Sequence, residues 1–186
     1  MDNGAESYRR FLQGDDKAFV EIIRDYKDGL ILYINGFVNN VITAEEITED
    51  VFFKLVTKKP KFKEKSSFKT WLYAIGRNTA VDYLRRNSKQ KEVTTEEIRE
   101  IEDERLSIEQ AYIKQERLIL IHRALEKLKP EYKQVLWLVY FEGLSHKEIG
   151  QIMHKSIRAT QMLANRAKQT LKTILIQEGI RYEDYQ

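Results

Sequence analysis

The 186-residue sequence has no cysteine, only two prolines and only eight glycines. Without cysteine there is neither a disulfide framework nor a thiolate metal site. Scarce proline and glycine beside 33% charged residues favour helices over an extended β architecture, which spends more residues on turns. Long apolar runs are missing too. The longest, near Val135 to Phe141, is far too short to span a bilayer. Asp2, Glu6, Arg9 and Arg10 precede any apolar stretch, so the start does not read as a secretory signal. The expectation is a soluble, cytoplasmic protein. The usual parts of an enzyme are also lacking. His122, His146 and His154 have no spacing that puts two on one helix face, and neither a glycine-rich phosphate loop nor a nucleophile elbow occurs. The carboxylates fall in runs that read as exposed, not as a paired acid and base. No catalytic residue, metal or cofactor is expected.

What is present is enough apolar material for real cores, 42% of the chain, and a segmented charge. The overall balance of +3 hides −6 over residues 1–53, +10 over 54–91, −5 over 92–117 and +4 over 118–186. Blocks of opposite sign suit different partners. The strongly basic block is a candidate phosphate-binding surface, because each neutralised phosphate releases condensed counterions. A solvated helix face would carry the same charge, so the block alone does not decide.

Apolar side chains at helical spacing (Phe19, Ile22, Ile23, Tyr26, Leu30, Ile34, Phe37, Val38) predict one or two helices ending near Asn39-Asn40. Thr43 with Glu46 reads as a capping box opening a helix that stops near Pro60. Lys61 to Ser67 reads as a basic loop. Ser66 or Ser67 then caps a helix from Phe68 to about Arg86, with Phe68, Leu72, Ile75, Thr79 and Leu84 inward. Residues 88–117, including Glu100-Ile-Glu-Asp-Glu104, read as an acidic linker. Leu118, Ile121, Leu125 and Leu128 mark a helix closing before Pro130, which opens the next one. Gly143 is a natural stop, Ser145 with Glu148 a second capping box, and Ser156 the cap of a last helix to about Ile176.

Short helix, tight connection and longer helix make the helix-turn-helix plan. In that plan the second helix lies in the major groove, its N-terminal half reaching base edges. The outward candidates are Arg158, Gln161, Met162, Asn165, Arg166 and Lys168, with Ile157, Leu163 and Leu171 assigned to the core. Arginine can pair with guanine and glutamine or asparagine with adenine, while lysine more often grips phosphate.

Residues 44–86, AEEITEDVFFKLVTKKPKFKEKSSFKTWLYAIGRNTAVDYLRR, closely resemble region two of the extracytoplasmic-function sigma factors, a branch of the sigma-70 family. Residues 125–171, from LEKLKPEYKQVLWLVYFEGLSHKEIGQIM through RAKQTL, resemble region four of the same group. The resemblance implies an all-α protein: region two over residues 1–87, a flexible linker over 88–117, region four over 118–180 and a tail over 181–186. It implies an alternative sigma factor binding core RNA polymerase, through the clamp helices of the largest subunit and the flap of the second-largest. Glu45, Glu46, Asp50 and Phe53 match the polymerase contact, with Val51 and Leu55 inside. Phe62, Ser66, Phe68 and Asn78 match positions around the pocket for a base flipped from the minus-ten element, where a polar edge and an apolar wall are needed. Lys61, Lys63, Lys65, Lys69, Arg77, Arg85 and Arg86 would hold the strand backbone, and the six outward residues of the last helix would read the minus-thirty-five element. An anti-sigma protein is a further implied partner. Thr160 and Ala164 depart from the larger aliphatic residues usual in the group, and Glu49 from a frequent glutamine. Two rivals stay open on the residues alone: a plain helix-turn-helix repressor or activator, and a helical adaptor that binds only proteins.

Overall fold

The computed structural model describes residues 3–91, 124–125 and 127–177, and every regular element among them is an α-helix. Of the linker expected over 88–117, residues 88–91 are helical, and residues 92–117, the helix start at Leu118 and Ile121, and His122 lie outside the described residues. Helices α1 (Asn3–Leu12), α2 (Asp16–Val38), α3 (Val41–Lys58) and α4 (Phe68–Lys91) build one bundle. Helices α5 (Pro130–Tyr140), α6 (His146–Met153) and α7 (Ile157–Gln177) build a second, smaller unit.

Helix α1 was not anticipated. Its buried face is Ala5, Tyr8 and Phe11 with the small Gly4 and Ser7, set among Glu6, Arg9 and Arg10. Arg10 ties it to α2 by reaching Asp15 at 2.6 Å and Glu21 at 3.1 Å, while Asp15 caps α2 through the N–H groups of Lys17 and Ala18. Helix α2 ends as the periodicity predicts, on Asn39 in a left-handed conformation (φ 53°), which asparagine tolerates better than most residues. Helix α3 starts earlier than Thr43. Asn40 is its cap, accepting from the Thr43 N–H at 2.9 Å. Asparagine ranks with the best N-caps, so the nearer residue wins over threonine.

Ser67 caps α4, its Oγ accepting from the Thr70 N–H at 3.2 Å. The helix runs past Arg86 to Lys91. Phe68, Leu72 and Thr79 are buried as expected, and Tyr73 and Ala80 join them. Leu84 does not: it is 39% exposed, because from Leu84 to Arg86 the helix presents only exposed residues. Tyr8, Tyr26, Phe62, Phe68 and Trp71 form an aromatic cluster with ring centroids 5.2 to 5.7 Å apart. Tilted and edge-on pairs at this spacing add to the burial of the rings.

The second unit follows its sequence closely. Pro130 takes the first turn of α5. Gly143 adopts φ +65°, where a β-carbon would be strained. The Ser145–Glu148 capping box is present in both directions, and Ser156 Oγ accepts from the Ala159 N–H at 3.2 Å at the start of α7. Gly150 makes the tight connection possible, since a β-carbon there would lie 2.7 Å from the backbone oxygen of Lys155. Thr160 is fully buried in an apolar position and satisfies its hydroxyl by donating to the Ser156 carbonyl at 3.0 Å. The two units touch where α5 packs on α2 and α6 packs on α4.

Candidate nucleic-acid interface

Three surfaces collect the singled-out residues. On α3, Glu45, Glu46, Asp50 and Phe53 are all exposed while Val51 and Leu55 are fully buried. Phe53 is 66% exposed. Val41, Ile42 and Val56 are exposed on the same helix, and sequence reasoning passed over them because a three-residue apolar excess does not change the helical period. Acidic side chains beside solvated apolar ones suit a protein partner, not DNA.

The second surface is the basic loop and α4. Lys61, Lys63 and Lys65 are exposed. The loop is fastened by α1, where the Tyr8 hydroxyl donates to the Pro60 carbonyl at 2.8 Å and Arg9 pairs with Glu64 at 3.3 Å. Burial pushes the Tyr8 phenol up to about 12, so it remains a donor throughout the physiological range. These two residues support the site and were not singled out. Phe62 and Ser66 are half-buried. Phe68 is not available to a base: it is fully enclosed in the aromatic cluster and stands behind Phe62 (5.7 Å, edge-on), because the first turn of α4 points it inward. Trp71 is half-buried in the same cluster. Asn78, Arg85 and Arg86 are exposed and Arg77 is half-buried. Arg85 pairs with Asp82 at 3.1 Å. From Phe68 to Arg85 is about 25 Å along a helix at 1.5 Å per residue, so these cations line a track and do not converge on one pocket.

The middle of that track is covered by the second unit. Glu142, whose side chain is only 9% exposed, meets Lys69 Nζ at 2.8 Å and also accepts from Trp137 Nε1 at 3.0 Å. The Tyr73 hydroxyl bonds to the same carboxylate, and burial together with that negative charge raises the Tyr73 pKa far above the usual phenol range. Glu148 Oε1 accepts from Ser67 Oγ at 3.2 Å and Thr70 Oγ1 at 3.3 Å. Burial opposes ionisation of Glu148, yet the hydrogen bonds from Ser145, Ser67 and Thr70 outweigh it and hold its carboxyl below the ordinary value. The His154 ring lies 3.3 Å from Asn78 Oδ1. Beside these contacts, Leu32, Tyr33, Asn35, Lys133, Gln134 and Trp137 line a cavity of about 130 Å³ between α2 and α5. Tyr33 Oη and Asn35 Oδ1 are enclosed beside it with no hydrogen-bond partner among the described residues.

The third surface is α7. Arg158, Gln161, Met162, Asn165, Arg166 and Lys168 are all exposed, while Thr160, Ala164 and Ala167 are buried against α5 and α6. Leu163 and Leu171 are half-buried, as befits the core edge, but Ile157 is 49% exposed because it is the first residue of the helix and overhangs the unit. The geometry is that of a helix braced from behind with a polar and cationic face outward.

Residues 22–90 match the family model described as Sigma-70 region 2, and residues 118–171 match that described as Sigma-70, region 4. The RNA polymerase sigma-H factor of Pseudomonas aeruginosa is 27% identical over 174 residues, covering 89% of this chain and 90% of that one. The ECF RNA polymerase sigma factor SigW of Bacillus subtilis is 26% identical over 168 residues, covering 86% and 90%. The fold is shared with the sigma factor RpoE from Bartonella quintana, solved in complex with the anti-sigma factor NepR: TM-score 0.67 at 20% identity, over 86% of this chain and 97% of that one. A region-two bundle followed by a region-four helix-turn-helix defines the sigma factors of bacterial RNA polymerase. The chain belongs to the sigma-70 family, in its extracytoplasmic-function (ECF) group, and is an alternative sigma factor that directs transcription initiation. Among the described residues no helix is long and apolar enough to cross a membrane.

Proposed function

We propose that this sigma factor divides its work among the three surfaces. Helix α3 docks on the clamp helices of the largest polymerase subunit through Glu45, Glu46, Asp50 and Phe53. The basic loop and α4 capture the melted minus-ten strand, with Phe62, Ser66 and Asn78 at the extruded base and Lys61, Lys63, Lys65, Lys69, Arg77, Arg85 and Arg86 along the backbone. Helix α7 reads the minus-thirty-five duplex, and its unit rests on the flap of the second-largest subunit. The chain catalyses nothing; the polymerase supplies the covalent chemistry, in the cytoplasm. An anti-sigma protein is a proposed regulator, supported by the complex in which the Bartonella relative was solved.

The observation that carries this reading is the clean division of α7, with all six candidate reading residues solvated and its small residues inside. A strand-opening surface on a separate unit then distinguishes the chain from a plain repressor. Reconstitution tests it. Core polymerase with this protein initiates on a promoter recovered by mapping transcript starts after overproduction, and core polymerase alone does not. Failure to initiate there, with duplex binding intact, would return the chain to the repressor class.

A further inference from the structure

We infer that Met162 is a specificity-determining residue of α7 and reads the 5-methyl group of one thymine in the minus-thirty-five duplex. The inference rests on the proposed role of α7 as the duplex-reading helix, and it names a contact that the polar residues of that helix do not supply. Arg158, Gln161, Asn165, Arg166 and Lys168 offer hydrogen bonds and charge. Met162 offers neither, since a thioether is only a weak acceptor, yet it is 47% exposed.

Its place on the helix singles it out. At 3.6 residues per turn, Met162 lies about 170° from the mean direction of the buried Thr160, Ala164 and Ala167. It therefore stands at the middle of the outward face. It is the sixth residue of α7, which begins at Ile157, and so falls in the N-terminal half that reaches base edges in this plan. Arg158, Asn165 and Arg166 are its neighbours along the helix surface, and all three are exposed. A single solvated apolar side chain is ordinary elsewhere on a protein. In the middle of a cationic reading face it is carried against the groove floor whenever its neighbours engage DNA.

Chemistry then selects the base. In the major groove guanine, adenine and cytosine present only donors and acceptors, while thymine adds a methyl group beside its O4 acceptor. Against that methyl the thioether removes apolar surface from water on both sides. Against cytosine it would cover the N4 amino group without a strong acceptor to meet it, and an unmet buried donor is costly. Met162 thus favours thymine by contact and disfavours cytosine at the same position by desolvation. Its unbranched, flexible chain lets the sulfur settle on the methyl without moving the helix.

The test removes the methyl and nothing else. Each thymine of the minus-thirty-five element, in a promoter duplex found by mapping transcript starts, is replaced in turn by deoxyuridine, which keeps the base pair and O4. Binding is measured by competition, with core polymerase carrying this chain. One replacement is expected to weaken binding by the parent chain about fourfold, as loss of one buried methyl group does. The same replacement should leave binding by Met162→Ala unchanged, and Met162→Leu, still apolar, should keep the sensitivity. Undiminished sensitivity in Met162→Ala overturns the proposal, and so does its loss in Ile157→Ala alone, because another side chain would then meet the methyl. Arg158→Ala/Arg166→Ala separates this contact from the reading beneath it. If that variant weakens binding while no deoxyuridine does so with the parent chain, the methyl contact alone is wrong. If the variant binds like the parent, α7 is not the reading helix and both fall.

Discussion

Asn78 is the residue on which strand capture is most exposed to test. Its amide is solvated and meets the His154 ring at 3.3 Å, so Asn78→Ala removes polar edge-binding without opening a cavity. The expected result is a loss of roughly tenfold or more in promoter melting, about what one good base contact of 1–3 kcal/mol supplies, with polymerase binding and thermal midpoint unchanged. Equal loss of melting and polymerase binding would place Asn78 elsewhere. Glu148 gives a second test at this scale. Its folded carboxyl is held below the ordinary value, so its stabilising contribution is fully present above the unfolded value near 4.3 and is lost as pH falls through the folded one. Ser145→Ala should raise the Glu148 pKa toward the ordinary range in a carboxyl NMR titration. It should also cost about 1 kcal/mol at neutral pH, of which only the part owed to the Ser145–carboxylate hydrogen bond fades on acidification. Charge and capping residues of this kind are legible in the sequence, because their chemistry is local. Phe68 reads both ways, inward on the α4 stripe by periodicity and as a wall of the base pocket by resemblance, and the direction of the first turn of α4 decides for the core.

At the scale of single elements, α7 and the turn before it are the parts whose sequence and structure agree most fully. Arg166→Ala is expected to weaken duplex binding with no change in thermal midpoint, and to lower the salt slope by about one if the contact is to phosphate. A lowered midpoint with unchanged affinity would make Arg166 structural. Gly150→Ala should do the reverse. Its methyl group would meet backbone, not a movable side chain, so a cost of about 1–3 kcal/mol is expected, read as a lower unfolding midpoint in denaturant. The agreement here reflects short-range rules: a proline, a glycine and two serine caps delimit α5 to α7. Helix α1 escaped because Ala5, Tyr8 and Phe11 make a weak stripe between charges that reads equally well as a polar leader. Its partners, Pro60 and Glu64, are some fifty residues away in a loop, and no local pattern reveals them. Helix α3 shows the intermediate case, its inward face correct and its cap misplaced from Asn40 to Thr43.

For the molecule as a whole, what the sequence conveyed was order and charge, not contact. Two helical units and a basic segment in the first could be read from periodicity and charge blocks. That a glutamate of the second unit is buried on a lysine of the first could not, because Glu142 and Lys69 are 73 residues apart and each reads singly as a solvated charge. The same scale holds the polymerase surface. Phe53→Asp leaves the fold intact, since the ring is largely in solvent, and is expected to cost at least about 1 kcal/mol in binding to core polymerase, as removal of an exposed aromatic anchor does. The central claim is that one unit grips paired DNA while the other grips a melted strand. Permanganate reactivity of thymines in the minus-ten element tests it most directly, in complexes of promoter, core polymerase and this protein. The account predicts reactive thymines with the parent chain, loss of reactivity with Asn78→Ala although the promoter stays bound, and weakened promoter binding with Arg166→Ala. Equal thymine reactivity in the parent and Asn78→Ala complexes, or reactivity from core polymerase without this chain, would contradict it.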